Sequence, residues 1–460
     1  MVTASLPLNT GQRMEPPRWY RWLVLVLISL AMFGNYYIYD SISPLADVLK
    51  AQLGFSDSQI GLLNGIYSFP NIIMVLVGGI IIDRIGTRKA VLIFTSLIML
   101  GALVTTLQGN FYMMVAGRLI FGLGAESMIV AITTILAQWF RGKQLSFAFG
   151  LNLTLARLGS FLALNAPTWG KSLYAYWQTP LWITVAAGVF AVLCIILYYF
   201  MDILAGRRYE VGEQGAQDKI ELKGIFKFGM SFWLITALCV TFYSAMFPFQ
   251  TFAIKFFQEA HGTTREVGGN LSSMLTLAAM IFTPLFGLLA DKIGKRSLLM
   301  MFGSVLIVPV YLIMAYRVDL ASVIGLHGGL QVDLAFFGIE RTLIPYYLMI
   351  PMALMGVAFS LIPAVMWPSV AYIVDQKKLG TAYGLMTMIQ NIGLFGFNVL
   401  IGWSNDYWGA SAANPGGYTP GMWIFSCLGL FGLLFAFLLR RSETGPHAHG
   451  LENVTGKTSG

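Results

Sequence analysis

The feature that most restricts what this chain can fold into is its set of about a dozen apolar stretches, each near or beyond the roughly 20 residues needed to cross hydrocarbon as a helix. Short polar breaks separate them. Only 11% of the residues are Asp, Glu, Lys or Arg, against about 25% in a soluble domain, so the solvent these stretches expect is lipid. Lipid cannot satisfy a bare peptide group, which makes a helix the natural state of each stretch. The expected spans cover residues 21-46, 60-82, 89-108, 111-139, 144-168, 180-201, 228-256, 267-290, 297-316, 344-374, 380-404 and 418-440. Breakers such as Gly54, Gly86, Gly109, Pro415, Gly416 and Gly417 set their ends. The first run starts at Trp22, behind Pro16 and Pro17, and outlasts a signal-peptide core, so it reads as a retained helix. Cys194, Cys239 and Cys427 all lie in apolar runs and read as small buried hydrophobes outside any disulfide framework.

Charge placement predicts the topology. In this scheme 21 Lys and Arg fall in the two tails and the connections after spans 2, 4, 6, 8 and 10, while 6 fall in the other connections: Lys50, Lys171, Lys255, Arg265, Arg317 and Arg341. The positive-inside rule then puts both termini in the cytoplasm and explains a net charge of +8 without nucleic acid. The expected organisation is a cytoplasmic tail at 1-20, a six-helix bundle at 21-201, a charged cytoplasmic linker at 202-227, a second bundle at 228-440 and a cytoplasmic tail at 441-460. Residues 317-343 form the main non-cytoplasmic loop, with room for a short surface helix.

The strongest internal signal is a repeat. Gly79, Asp83, Gly86 and Arg88 follow span 2, and Gly287, Asp291, Gly294 and Arg296 follow span 8 at identical spacing. A single copy is easily a charged turn anchoring a helix end; two copies six spans apart indicate a duplicated pair of bundles. Asp83, Arg84, Arg88, Asp291, Lys292 and Arg296 are therefore expected to act at a gate, where the aspartates receive hydrogen bonds from helix-end amides or basic groups. This loop resembles the signature of the major facilitator superfamily, which implies an all-α membrane protein of 12 transmembrane helices in two pseudo-symmetric six-helix bundles.

Charges within spans are costly and normally face protein or water. Asp40, Arg118, Glu126 and Arg157 are the four candidates, all in the first half. Arg118 and Glu126 are two turns apart on one face of span 4, and Arg118 fits a structural or gating role as well as binding. Glu126 and Arg157 sit near the middle of spans 4 and 5. They could hold opposite charges of a ligand in a central cavity, or simply pair with each other and tie their helices. Asn35 and Tyr39 on span 1, and Tyr67 and Asn71 on span 2, are spaced to line one face each. From the second half, Tyr243, Trp367, Gln390 and Asn391 supply aromatic and amide walls without a midplane charge.

More specific segments follow: 117–127 (GRLIFGLGAES), 142–160 (GKQLSFAFGLNLTLARLGS), 379–393 (LGTAYGLMTMIQNIG), and shorter ones around Tyr67, Phe247 and Trp367. Across about residues 31-440 these resemble the lysosomal dipeptide transporter family. The resemblance implies a dipeptide carrier, in which Glu126 meets the substrate ammonium and Arg157 its carboxylate, with Asp40 at a further acidic position. It also implies transport without obligatory proton coupling. Compact loops free of a glycosylation sequon point to a bacterial inner membrane rather than a lysosome, and to a chain that works as a monomer without the family's glycosylated partner.

The expected mechanism is alternating access of the two halves, with the lipid bilayer as surroundings and no cofactor, metal cluster, nucleotide loop or catalytic triad. Two other readings stand beside it. One is a proton-coupled carrier of organic anions or sugars; the other is a membrane receptor or scaffold whose polar pairs are structural.

Overall fold

The structure, a computed structural model, describes residues 15–140, 144–209, 228–334, 339–375, 378–446 and 448–453. Among these, twelve helices are long and apolar enough to cross a membrane. Spans 1 to 6 are Arg18–Leu53, Asp57–Ile85, Thr87–Leu107, Phe111–Phe140, Phe147–Leu164 and Gln178–Arg207. Spans 7 to 12 are Met230–His261, Arg265–Ile293, Arg296–Ala315, Tyr346–Ile373, Leu379–Tyr407 and Pro415–Glu443.

Packing repeats with a period of six spans. Span 1 packs on 5 and 6, span 2 on 4, and span 3 on 4 and 6; in the second half span 7 packs on 11 and 12, span 8 on 10, and span 9 on 10 and 12. The halves meet where span 2 lies along span 11 and span 5 along span 8. Glycine makes the closest of these approaches possible. A Cβ on Gly101 would lie 2.4 Å from the Phe121 backbone nitrogen, and one on Gly117 would lie 2.5 Å from that of Thr105, so spans 3 and 4 touch backbone to backbone.

Several boundaries differ from the sequence reading for local reasons. Span 1 runs on to Leu53 through a 3₁₀ turn at Ser43–Leu45, where Pro44 removes a backbone donor. Span 2 starts at Asp57 and is interrupted between Gly65 and Ser68. The helix of span 6 reaches Arg208, so Asp202 and Arg207 belong to it rather than to the linker; linker residues 210–227, residues 1–14 and residues 447 and 454–460 lie outside the described residues. The 317-343 loop holds a short helix, Leu320–Val323, followed by an unanticipated antiparallel hairpin of β1, Gly329–Leu334, and β2, Ile339–Pro345. The membrane face carrying this hairpin is called the hairpin side below; the face carrying Asp83 and Asp291 is the loop side. Cys194 and Cys239 are buried, whereas Cys427 is exposed on span 12, contrary to expectation.

The end of the chain is also more than a tail. Span 12 extends to Glu443, and Leu451 is fully buried. Glu452 accepts hydrogen bonds from the Ser297 amide (2.9 Å) and hydroxyl (2.5 Å), capping span 9, whose own N-cap residue Lys295 has no acceptor to offer. Glu443 accepts from Ser231 at the start of span 7 (2.6 Å) and from the His449 amide (2.9 Å).

Arg118 knots the first bundle together. Only 2% exposed, it donates to the carbonyls of Leu63 (3.3 Å), Ile38 (3.2 Å) and Tyr39 (3.3 Å) and to Asn64 Oδ1 (3.2 Å), so one guanidinium serves spans 1, 2 and 4. Those acceptors include carbonyls freed where spans 1 and 2 break. Removing the side chain strands them, at a cost of about 1–3 kcal/mol per buried group. Arg118→Met should therefore lower the thermal midpoint of the detergent-solubilised protein far more than Arg88→Ala. Arg88 pairs with Asp202 at 3.5 Å on a half-exposed surface, and such pairs contribute about 0–1 kcal/mol.

Candidate functional site

A cavity of about 240 Å³ lies between the bundles. Span 1 contributes Asn35, Tyr36 and Tyr39; span 2 contributes Tyr67; span 4 contributes Phe121, Ala125, Glu126 and Ile129; and span 5 contributes Arg157. The second half supplies Tyr243, Phe247, Trp367, Thr387, Gln390 and Leu394. Glu126 and Arg157 are the charged residues of this lining, and they do not pair with each other. Neither makes an ion pair with any described residue. The Arg157 guanidinium is held by rings instead, 5.2 Å from the centroid of Phe359 and 6.0 Å from that of Tyr36.

The expected binding residues divide into two groups. Glu126, Arg157, Asn35, Tyr39, Tyr67, Tyr243, Trp367 and Gln390 come together on the wall, whereas Asp40, Asn71 and Asn391 do not line it. Asn71 lies one helical turn beyond Tyr67 on span 2 and is fully buried, past the reach of the cavity. Asn391 is buried, with its amide bonded back to the Thr387 carbonyl (3.0 Å). Asp40 is buried beside Ser160, a hydrogen-bond partner, near enough to Arg157 and Arg118 to act on both electrostatically. Tyr36 and Thr387 are wall residues that sequence reasoning did not select, although Tyr36 was visible within the polar cluster of span 1.

Among the expected gate residues, Arg296 is almost fully buried and bonds Asp291 at 2.6 Å, while Arg88 reaches Asp202. Both contacts stay within one bundle. Among the described residues, ion pairs join the bundles on the hairpin side, and sequence reasoning missed them. Lys255 of span 7, 1% exposed, grips both carboxylate oxygens of Asp57 on span 2, fully buried, at 2.6 and 2.7 Å. Lys50 adds a third contact to Asp57 at 3.0 Å, and Glu259 lies 3.5 Å from Lys255. Asp406 of span 11 accepts from the amides of Asp57 (2.8 Å) and Ser58 (2.7 Å). Ser56 and Gln59 complete a capping box, so the first free N–H groups of span 2 are satisfied partly by the opposite bundle.

Two glycines allow this closeness. A Cβ on Gly61 would lie 2.2 Å from the Asn398 carbonyl oxygen, and one on Gly402 would lie 2.3 Å from that of Asp57. Asn64 then donates to Thr251 (2.5 Å), which donates to Asn398 (2.7 Å), linking the Arg118 knot to the second half. Arg265 bonds Asp47 at 2.5 Å. The hairpin side is therefore shut by dry, charged contacts immediately beyond the cavity. The signals were present in the sequence as a Ser56 to Gln59 capping box and as Lys255 and Glu259 four apart near a span end.

A cavity between duplicated bundles, closed at one face by ion pairs and hydrogen bonds that run from one half to the other, is the arrangement of a secondary carrier. The sequence model of the Major Facilitator Superfamily matches residues 28–326 and 249–456, and the chain belongs to that superfamily. It is 30% identical over 441 residues to the human lysosomal dipeptide transporter MFSD1, covering 93% of this chain and 88% of that protein. The Bos taurus counterpart is 31% identical over 396 residues, covering 83% and 79%. The crystal structure of a bacterial homolog of the human lysosomal transporter Spinster, inward-facing and unoccupied, has the same fold, with a TM-score of 0.69 at 16% identity, covering 93% of this chain and 98% of that one. Transport in this superfamily proceeds by alternating access.

Removing one partner of a buried pair leaves a lone charge, which costs about 3–5 kcal/mol. Asp57→Asn should therefore loosen the hairpin side, and the double variant Asp57→Lys with Lys255→Asp should restore it. In a protein freed of its native cysteines, spin labels at Tyr112 and Tyr407, both exposed at this face on opposite halves, will read a longer distance in the single variant and the native distance in the swap.

Proposed function

We propose that the chain carries dipeptides, holding the substrate ammonium at Glu126 and its carboxylate at Arg157. One observation supports this reading above others: a carboxylate and a guanidinium line the same cavity, each without a protein ion partner. An unanswered charge in an apolar surround is expensive, so a site that keeps one of each sign across a gap is complementary to a zwitterion. A proton-coupled carrier of organic anions would use Arg157 as the anion site and Glu126 as the proton-coupling group, and a scaffold would pair the two.

In this reading the loop side faces the cytoplasm, as the charge distribution requires, and the hairpin side is the face that is shut. Dipeptide reaches the cavity from the cytoplasmic side, or leaves by it, in this conformation. Rocking of the two halves then breaks the Asp57 to Lys255 seal and exposes the site on the other face, while the Asp83 and Asp291 loops act at the gate below. Asp40 and Tyr36 act as positioning groups for Arg157. Movement follows the dipeptide gradient, and the membrane is a bacterial inner membrane.

The test is uptake of a dipeptide panel by purified protein in sealed liposomes, comparing wild type with Glu126→Gln and Arg157→Gln at matched reconstitution. Losing a charge-assisted contact costs about 1.5–3 kcal/mol, so each variant should lose roughly tenfold or more in kcat/KM for Ala-Ala while remaining folded. Normal transport in either variant, or absence of dipeptide flux with flux of organic anions, would replace this reading with the anion carrier.

A further inference from the structure

On the second half three rings line the cavity, Phe247, Tyr243 and Trp367, and Phe359 behind them continues the series to Arg157. From Arg157 the path runs to Phe359 (5.2 Å), on to Phe247 (6.0 Å), then to Tyr243, stacked at 5.6 Å and 14° between planes, and ends at Trp367 (6.5 Å). Trp367 is pinned twice. Its indole N–H donates to the Tyr243 hydroxyl at 2.9 Å, and its backbone carbonyl accepts from the Tyr383 hydroxyl at 3.0 Å. An aromatic side chain with its polar edge already bonded offers only apolar and π surface to whatever occupies the cavity.

We infer that this ring wall, with Trp367 at its far end from Arg157, sets the side-chain selectivity of the carrier, accepting apolar, aromatic and cationic side chains and disfavouring acidic ones. The inference rests on the dipeptide reading above. Arg157 stands at the start of the ring path, so a substrate carboxylate held there places the side chain of the same residue along the wall. Ring faces are negative, so they attract cations and tolerate hydrocarbon but repel a carboxylate. Among the described residues Arg157 is the cation of the lining, and in the dipeptide reading it holds the main-chain carboxylate. An acidic side chain therefore meets ring faces and no free positive charge, whereas Lys or Phe finds a preorganised surface. Trp367 acts directly on the substrate side chain; Tyr243 and Tyr383 are positioning residues.

The experiment measures KM for Ala-Ala, Ala-Phe, Ala-Lys and Ala-Glu in proteoliposomes of wild type, Trp367→Ala, Trp367→Phe and Tyr243→Phe. Wild type should show lower KM for Ala-Phe and Ala-Lys than for Ala-Glu. In Trp367→Ala the KM of each of the first two should rise about tenfold relative to that of Ala-Ala in the same variant, the scale of one desolvated ring contact. Trp367→Phe should keep most of the preference, and Tyr243→Phe, which frees the indole edge, should lose part of it. An unchanged ranking in Trp367→Ala with Ala-Ala flux still measurable overturns the selectivity inference alone. Absence of Ala-Ala flux in wild type overturns the dipeptide reading and this inference together.

Discussion

Charge inside an apolar fold has to be answered, and the architecture of this protein is organised by how each buried charge is answered. Arg118 spends its guanidinium on main-chain oxygens exposed by the breaks of spans 1 and 2. Asp57 and Lys255 answer each other across the two bundles, and Arg296 is answered by Asp291. Glu443 gathers Ser231 and the returning chain end. Against that background Glu126 and Arg157 stand apart, because both face a cavity and neither is ion-paired among the described residues. In the proposed reading a zwitterionic substrate provides the partner.

The same accounting explains how a carrier of this kind can hold one face shut and still open it. The Asp57 to Lys255 contact is short, dry and bidentate, so it is strong once formed. Burying two ions also has a desolvation cost, so the net stabilisation over a solvated, separated pair is modest. A seal built from such a pair, from Asp406 capping the opposite bundle and from glycines at Gly61 and Gly402 is tight yet reversible. A purely apolar plug has no comparable return of hydration when it opens. The Arg118, Asn64, Thr251 and Asn398 chain connects this seal to helices whose other residues line the cavity, which gives binding and closure a shared mechanical element.

The sequence exposed the repetitive, long-range part of this design and hid the local part. Twelve spans, their division into two sets of six and the duplicated loop were legible because hydrophobic length and identical spacing survive without coordinates. Glu126 and Arg157 stood out because a charge in an apolar run is rare. What escaped depended on contacts between distant segments. Lys255 looked like a loop charge, since its burial is due to Asp57, nearly 200 residues earlier. Asn71 was assigned to the wall because it lies one turn from Tyr67, but the cavity does not extend to it. The 329–345 hairpin gave no alternating pattern strong enough to distinguish it from loop, and Glu452 offered no sign that it would cap span 9.

The central claim is that the two unpaired charges recognise the two ends of one zwitterion. It is tested most directly by competition, with labelled Ala-Ala flux measured against unlabelled Ala-Ala, N-acetyl-Ala-Ala and Ala-Ala amide in the wild-type protein. The account predicts that masking either terminus removes competition, because each charge in the cavity then loses its partner. Blocked peptides competing as well as the free dipeptide would contradict it and return Glu126 and Arg157 to a structural role.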